Sequence, residues 1–482
     1  MLDDLRAERL KKLERYRERF DPYPATVKRS TTIKGVLDEF SKLEESKREE
    51  SVTGRLVAWR DQGKIVFGNI EDETGKIQVV LHDGETDDLD FMKTVIDIGD
   101  FVEVGGTVFV TKRGERSLQV RHIRIITKSL LPLPVTWYGL DDTETRLRKR
   151  YLDAIIRPEV KELFRKKSAF WSATRALLVS DGFFEVETPI LEAVPGGAEA
   201  EPFMTHMKAL DQDLSLRISL ELPLKKMLVG GFDRVFEIGR IFRNEGIDKE
   251  HLQDYTQMEC YAAYWDYEDM MRFVEKLYKQ VIMDVFGTLS LPSGGTMIEW
   301  GNAWPKVDYY EIFKRETGVD LSTAVAEDLK KKAHDLHLDT TKVIGRGKLI
   351  DLIYKKAVRP KLVQPCFLID PPVDVEPLAK RLTKDHDRVA RFQILAAGTE
   401  LGKGFSELND PLDQRQRFEV QMSLRAAGDT EAERLDESFL EALEYGMPPA
   451  AGFGMSERLF AVLADKPVRE AVFFPLMKHE TN

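Results

Sequence analysis

Cysteine is scarce in this chain of 482 residues, with Cys260 and Cys366 the only two. They lie in dissimilar contexts and form no CxxC pair, so we do not expect a disulfide framework. We expect a reducing, cytoplasmic location instead. No apolar run is long enough to span a bilayer. The start, MLDDLRAERLKK, lacks the apolar stretch of a signal peptide. These absences argue against a secreted disulfide scaffold and against a membrane protein.

Positive charge is also in deficit, and the formal net charge is −11. That balance disfavours a general binder of polyanions, although it is compatible with local basic patches. The composition, 42% hydrophobic and 32% charged, is typical of a globular enzyme. The length predicts two or three domains.

The first third of the chain changes its hydrophobic period near Ser51. Residues 1–50 are predicted to form a helical N-terminal arm, with a helix over 2–20 that DPYP ends. Residues 51–130 show five short strands of period two, with a helical segment between the third and the fourth. This order predicts an OB-fold barrel, a frequent oligonucleotide binder. Residues 131–150, which contain LLPLP, are predicted to be a linker.

One strand of the predicted barrel carries an aromatic residue on a polar face. Phe67 shares that face with Asn69 and Glu71. An aromatic ring in such a place is a candidate platform for stacking bases. The pattern is equally compatible with a ring that fills the barrel wall.

Residues 151–482 read as one large region of helices and strands, with a helical insertion over about 306–362. Its most informative strand is RVFEIGRIFRNEG, 234–246, in which Arg243 and Glu245 share a face. The following strand, YTQMECYAAY, places Glu259 and Tyr261 on one face. If the two faces coincide, these charges line a concave surface, where they must be paired or hold a ligand. The alternative is an ion-pair ladder on a solvated sheet.

Two downstream stretches combine glycines with charge. TELGKGFSELNDP, 399–411, carries Glu400, Lys403 and Glu407, and its glycines allow a ligand or another backbone to approach. AAGFGMSERLF leads into a helix-like segment that bears Arg458, an arrangement suited to phosphate. The chain has neither a Rossmann fingerprint nor a GxxxxGK[ST] loop.

Together these blocks resemble the class II aminoacyl-tRNA synthetases. FRNE at 242–245 resembles their motif 2, GFGMSER their motif 3, and 158–189 their motif 1. Longer blocks such as PGGAEAEPF, VGGFDRVFEIGRIFRNEGID and GFSELNDPLDQ resemble lysyl-tRNA synthetases of class II along essentially the whole chain. The resemblance implies an OB-fold domain followed by a class II catalytic domain over 151–482, an α+β fold with a central antiparallel sheet and a helical insertion.

The resemblance implies roles for individual residues. ATP, with Mg²⁺ at Glu400, is expected to meet Arg243, Glu245, His251, Tyr255, Glu400 and Arg458. Lysine is expected to meet Gly197, Glu221, Arg243, Glu259, Tyr261, Phe405 and Glu407, with Gly197 and Glu221 at its α-amino group and the last residues around its ε-ammonium. Anticodon bases are expected to meet Arg60, Phe67, Gln78 and Glu115. The expected partners are ATP, L-lysine and tRNA(Lys), in a homodimer.

Some positions depart from the lysyl pattern. Glu201 precedes Pro202 where the family usually has arginine, and Lys403 replaces an asparagine beside the expected cation pocket. Gln393 replaces one of two metal-binding carboxylates, HLQDY replaces HNPEF, and motif 3 is one residue short. These changes leave two alternatives open: a catalytically silent RNA-binding paralogue, or a class II synthetase for aspartate or asparagine.

Overall fold

The computed structural model describes residues 2–134, 140, 142–246, 251–341 and 343–478. They form two compact units, residues 1–142 and 143–482. Each unit has its own hydrophobic core. No helix among the described residues is both long and apolar enough to cross a membrane.

The first unit is a closed five-stranded barrel preceded by short helices. The helices are α1 (Leu2–Arg17), α2 (Ile33–Asp38) and α3 (Phe40–Ser46), and α4 (Leu89–Val95) lies between the third and fourth strands. The strands are β1 (Glu50–Asp61), β2 (Ile65–Glu71), β3 (Lys76–His82), β4 (Phe101–Val110) and β5 (Arg116–Thr127), in the order β1-β2-β3-β5-β4. The predicted OB fold is therefore confirmed.

Alternation along the strands builds the barrel core. In β2, Val66 and Ile70 are fully buried while Phe67 is half-buried on the outer side. The N-terminal arm contributes Tyr16, whose hydroxyl donates to the Ile125 carbonyl (3.2 Å) and accepts from the Ile125 amide (2.9 Å). Burial raises the pKa of Tyr16 to about 12. The arm and the barrel thus share one core.

The second unit is built on a sheet of eight strands in the order β14-β15-β16-β17-β18-β11-β10-β6. All neighbours pair antiparallel except β14 with β15 and β10 with β6, at the two ends of the order. The strands are β6 (Phe184–Glu185), β10 (Arg234–Phe242), β11 (Asp254–Ala263), β14 (Lys306–Asp308), β15 (Cys366–Ile369), β16 (Arg391–Ala396), β17 (Thr399–Ser406) and β18 (Ala450–Ser456). The predicted central antiparallel sheet is confirmed. Of the segment FFEVETPI, 183–190, only Phe184–Glu185 belongs to this sheet.

Helices cover the two faces of this sheet unequally. One face packs against the long helices α7 (Pro158–Ser180) and α9 (Tyr267–Phe286) through side chains such as Met258 and Cys260. Asp266 caps the start of α9, and Gly287 ends it with φ 71°. The opposite face carries Glu259 and Tyr261, because successive residues of β11 point to opposite sides. The candidate site lies on this second face.

Shorter elements surround the sheet. The remaining strands are β7 (Leu191–Glu192), β8 (Met204–Met207) and β9 (Gln212–Leu216), which form one small sheet, and β12 (Ser290–Ser293) and β13 (Thr296–Glu299), which form a hairpin. The remaining helices are α5 (Thr143–Arg148), α6 (Arg150–Ile156), α8 (Glu221–Val229), α10 (Tyr309–Thr317), α11 (Ala326–Asp335), α12 (Arg346–Ile353), α13 (Pro411–Ala426), α14 (Glu437–Glu444) and α15 (Arg458–Leu463).

Two of the predicted segments acquire structure here. The helical insertion contains α10, α11 and α12, which pack around a hydrophobic cluster that they share with β15 and β16. The segment predicted to be a linker holds the helix α5, which belongs to the second unit. Within that linker, residues 135–139 and 141 lie outside the described part of the chain.

Candidate active site

A cavity of about 910 Å³ opens on the sheet face that α9 leaves uncovered. Its floor comes from β11, β16, β17 and β18, and its walls from the start of α8, from α12 and from α13. Most of the residues predicted for the site line it, namely Gly197, Glu221, Arg243, Tyr255, Glu259, Tyr261, Glu400, Phe405 and Arg458. Glu245, His251 and Glu407 do not line it. The sheet therefore joins residues from distant parts of the sequence in one site.

Strand register and glycine open the floor of this cavity. Glu259 stands opposite Gly454, and Gly454 stands opposite Lys403. The next row joins Tyr261, Gly452 and Phe405. A side chain at Gly452 would overlap the Tyr261 ring and the Glu407 carboxylate, so the strand needs glycine there.

Two arginines mark one end of the cavity. The Arg243 Nε donates to the Ile218 carbonyl (3.2 Å), and its guanidinium carbon lies 5.9 Å from the centre of the Tyr255 ring. Arg458 Nη1 lies 3.4 Å from the Glu400 carbonyl oxygen. Burial raises the pKa of Tyr255, so its hydroxyl stays protonated. This end offers positive charge and an aromatic surface.

Glu245 and His251 lie beside this end without lining it. His251 Nε2 is 4.0 Å from Glu245 Oε2, and the Glu245 carbonyl accepts from Gln253 Nε2 (3.4 Å). Residues 247–250 of the connecting loop lie outside the described residues. Glu201, one of the departures from the family pattern, has an exposed side chain, while its carbonyl accepts from the Asn244 amide (2.7 Å).

Glu259 forms the best-supported anion of the cavity. One of its oxygens accepts from Ser219 Oγ (2.7 Å), the Leu220 amide (3.0 Å) and Gln257 Nε2, and the other from Tyr261 Oη (2.8 Å). Glu259 is only 3% exposed, and no cation of the described chain bonds to it. Burial and the nearby carboxylates hold the pKa of Tyr261 well above its usual range. The site thus keeps a buried carboxylate oriented by neutral donors, as a receptor for a cation requires.

A buried cation that sequence reasoning missed lies behind the cavity lining, beside Glu221. Lys225 is fully buried, and its Nζ lies 2.6 Å from Glu221 Oε1 and 2.5 Å from Glu407 Oε2. It also lies 5.3 Å from the centre of the Phe405 ring. Lys225 follows Glu221 by four residues on α8, a spacing that brings the two side chains together. That spacing was the only signal available in the sequence.

The pKa values within this triad reflect burial opposed by pairing. Burial raises the pKa of Glu221 to about 7 and that of Glu407 well above its usual range, while Lys225 lowers both. Burial alone would lower the pKa of Lys225, but the two carboxylates raise it above its ordinary value. The triad therefore carries a firmly charged ammonium between two acids.

Lys403 has a partner that the sequence did not reveal. Its Nζ lies 2.9 Å from Glu376 Oε2, and Arg391 Nε lies 3.2 Å from the same oxygen. Glu376 is 3% exposed, and the two cations lower its pKa against the effect of burial. The positive charge of Lys403 is therefore compensated beside the cavity. Nothing local in the sequence around Glu376 signals this contact.

The outer face of the barrel gathers the four residues predicted to meet RNA. Arg60 pairs with Phe67 across β1 and β2, and Gln78 lies on the neighbouring β3. Gln78 Nε2 donates to Glu115 Oε2 (3.1 Å). Phe67 is not part of the buried core, so it does not fill the barrel wall from inside.

Comparisons with known proteins agree with both units. A family model for class II tRNA synthetases (D, K and N) matches residues 142–478, and one for the OB-fold nucleic acid binding domain matches residues 50–126. The lysine–tRNA ligase of Roseiflexus sp. (strain RS-1) is 45% identical over 484 residues, 99% of each chain. That of Moorella thermoacetica is 44% identical over 483 residues, 99% of this chain and 98% of the relative. The chain belongs to the lysine–tRNA ligase family of class II tRNA synthetases.

Synthetases of this class use ATP with Mg²⁺, and the donors present here fit a sparsely bound ion. Glu400 lines the cavity, and Gln393 Nε2 donates to its Oε2 (2.5 Å). Among the described residues, no group of three or more His, Cys, Asp and Glu side chains is arranged to hold a metal. Mg²⁺ at nucleotide sites commonly takes one or two carboxylates and otherwise phosphate oxygens and waters. In this ligase family member, Glu400 is the carboxylate that fits that pattern.

Proposed function

We propose that the chain activates L-lysine with ATP to lysyl-adenylate and transfers the lysyl group to the 3′ end of tRNA(Lys). Its similarity to lysine–tRNA ligases extends over essentially the whole chain. The observation that carries the proposal is the cavity itself, whose lining joins the cations Arg243 and Arg458 with the buried carboxylate Glu259, to which no cation of the described chain bonds. A molecule with a carboxylate and a distant ammonium matches this polarity.

The arginine end suits adenylation. The lysine carboxylate attacks the α-phosphate in line, and both reactants are anions, so fixed positive charge must offset their repulsion. We assign Arg243 to the α-phosphate and the lysine carboxylate, and Arg458 to the far side of the nucleotide. Tyr255, Glu245 and His251 are placed around the adenosine. No general base is needed, because the nucleophile is already ionised at pH 7.

Glu400 would hold Mg²⁺ at this end, where the ion would neutralise phosphate charge. The described residues supply that one carboxylate and the neighbouring Gln393 amide. The remaining ligands would be phosphate oxygens and water.

The part of the cavity around Glu259 and Tyr261 suits lysine. We assign Glu259 and Tyr261 to an ammonium group of the substrate, and Gly197 with Glu221 to the wall beside it. Phe405 supplies an apolar surface for the methylene chain. Glu407 is bonded to Lys225, so we assign it to the polarity of the pocket wall. An aspartate side chain would meet carboxylates here, and repulsion between like charges would exclude it.

The barrel suits the anticodon. We assign Phe67 to stacking on a base, and Arg60, Gln78 and Glu115 to polar contacts with its neighbours. We further infer a homodimer that works in the cytoplasm; the buried free thiols Cys260 and Cys366 are compatible with a reducing compartment.

Pyrophosphate exchange tests the proposal. Purified protein with ATP and Mg²⁺ is expected to exchange pyrophosphate when lysine is added and to remain at background with aspartate or asparagine. Charging of tRNA(Lys) should follow. Exchange driven by aspartate or asparagine would identify another class II specificity, and background exchange with all three would identify a silent paralogue.

A further inference from the structure

A buried carboxylate that the proposed chemistry does not use lines the amino-acid end of the cavity. Glu433 follows α13 in the chain and is 5% exposed. Its Oε2 has no hydrogen-bond partner in the described part of the chain. The backbone amide of Glu433 donates to Gln421 Oε1 (3.2 Å), which fixes the segment while leaving the carboxylate free. An unpartnered buried charge is costly, and such a group at a cavity wall indicates a missing ligand.

The charges around Glu433 define the ligand. Five buried carboxylates line the amino-acid end of the cavity or bond to groups that do, namely Glu221, Glu259, Glu376, Glu407 and Glu433. Three cations bond to members of this set, namely Lys225, Arg391 and Lys403. When all five carboxylates are ionised, as in a complex with a cationic ligand, two positive charges are therefore missing. Glu199 also lines the cavity, but it is not among the carboxylates buried from solvent, so it is left out of this count.

Only two of these carboxylates have no bonded cation in the described chain. Glu221 and Glu407 share Lys225, and Glu376 holds Lys403 and Arg391. Glu259 and Glu433 are the two that remain. A dibasic amino acid brings two ammonium groups, while its carboxylate is balanced by Arg243. The number of missing cations therefore equals the number that lysine carries.

We propose that Glu433 binds one of the two ammonium groups of the amino-acid substrate, the other being bound at Glu259. This inference rests on the proposed lysine activation and adds a specificity residue to it. Glu433 lies in a segment with no strand or helix pattern, so no sequence signal points to it.

The protonation of Glu433 gives a second observable consequence of ammonium binding at this residue. Burial and the carboxylates of Glu221, Glu376 and Glu199 hold the pKa of Glu433 well above its usual range, and Lys403 opposes them. The raised pKa widens the pH range above 4.5 in which the free protein holds a proton on Glu433. An ammonium bound beside it favours the carboxylate form, so within that range lysine binding should release a proton.

Titration calorimetry with three ligands tests the proposal. The ligands are L-lysine, 6-aminohexanoic acid, which lacks the α-ammonium, and L-norleucine, which lacks the ε-ammonium. Glu433→Gln keeps the shape and removes the charge, and Glu419→Gln, an exposed carboxylate on α13, is the matched control. Glu433→Gln is expected to weaken lysine binding by about tenfold or more, while Glu419→Gln leaves it unchanged.

The analogues identify which ammonium is bound. If Glu433 holds the ε-ammonium, the variant weakens 6-aminohexanoic acid and spares norleucine; if it holds the α-ammonium, the pattern is reversed. Either pattern supports the proposal. Unchanged binding of lysine, or equal weakening of both analogues, overturns it.

Proton release gives an independent check. Lysine binding to the parent at successive pH values above 4.5, measured in buffers of different ionisation enthalpy, is expected to release a proton that Glu433→Gln no longer releases. Equal release by both proteins at every pH overturns the proposal. A parent that drives no lysine-dependent pyrophosphate exchange would instead overturn the proposed function, so the two failures are distinguishable.

Discussion

At the scale of single residues, Arg243 is the group on which adenylation depends most. Arg243→Ala removes positive charge aimed at the reacting phosphate, so lysine-dependent pyrophosphate exchange should fall by at least about a hundredfold. Arg240 is a matched control, because it lies on β10 three residues before Arg243 but pairs with Asp254 and does not line the cavity. Arg240→Ala should retain most activity. Near-normal exchange by Arg243→Ala would contradict its assignment.

Glu433 also predicts a pH-dependent stability. Its pKa is raised from 4.5 in the folded state, so between pH 4.5 and that raised value the folded protein holds a proton that the unfolded chain has released. Stability therefore declines as pH rises through this range. Glu433→Gln removes this pH-dependent loss of stability. In chemical denaturation the variant should have a higher free energy of unfolding than the parent at pH 7, and the same free energy of unfolding below pH 4.5. A variant less stable at pH 7 would assign Glu433 a structural role.

At the scale of elements, strand alternation decides what could be predicted from the sequence. Period two placed Glu259 with Tyr261 and Arg243 with Glu245, and the sequence left open whether the two faces coincide. Arg243, Glu259 and Tyr261 line the same cavity, whereas Glu245 does not. Lys225, Glu376 and Glu433 were missed. Glu407 meets Lys225, and Lys403 and Arg391 meet Glu376, only where separate elements pack together. Glu433 lies in a segment that is neither helix nor strand. The bounds of short strands are equally hard to predict from the sequence, since β6 has only two residues.

A substitution in strand β2 should affect tRNA charging without affecting lysine activation. Phe67 lies on the outer face of the barrel, in a unit separate from the cavity. Phe67→Ala should lose a stacking contribution of about 1–3 kcal/mol per base, which raises KM for tRNA in charging assays and leaves pyrophosphate exchange intact. A similar loss in both assays would show that the ring supports the fold.

At the scale of the whole molecule, one edge of the second unit exposes apolar surface. β6 ends the sheet order, and Phe184 on it is 57% exposed and stacks on Phe232 at 5.6 Å. Ile190, Leu191 and Met204 are exposed in the same unit. Apolar surface beside an unpaired strand edge is typical of an interface. Sedimentation should find a dimer at micromolar concentration, and Phe184→Glu should shift it toward monomer. A monomeric parent would contradict the prediction.

Lys225 is a lysine side chain bound by carboxylates inside the protein, and lysine is also the amino acid that we expect the protein to select. Lys225→Ala would leave Glu221 and Glu407 facing a vacancy shaped for a primary alkylamine. Small amines such as propylamine, added to the solution, should then restore part of the lost exchange activity in a concentration-dependent way. Lys226→Ala is the control, because Lys226 does not line the cavity and its Nζ donates to Ser438 Oγ (2.7 Å). Added amines should not change the activity of this variant. Failure of every amine to rescue Lys225→Ala would mean that the tethered ammonium does more than balance charge.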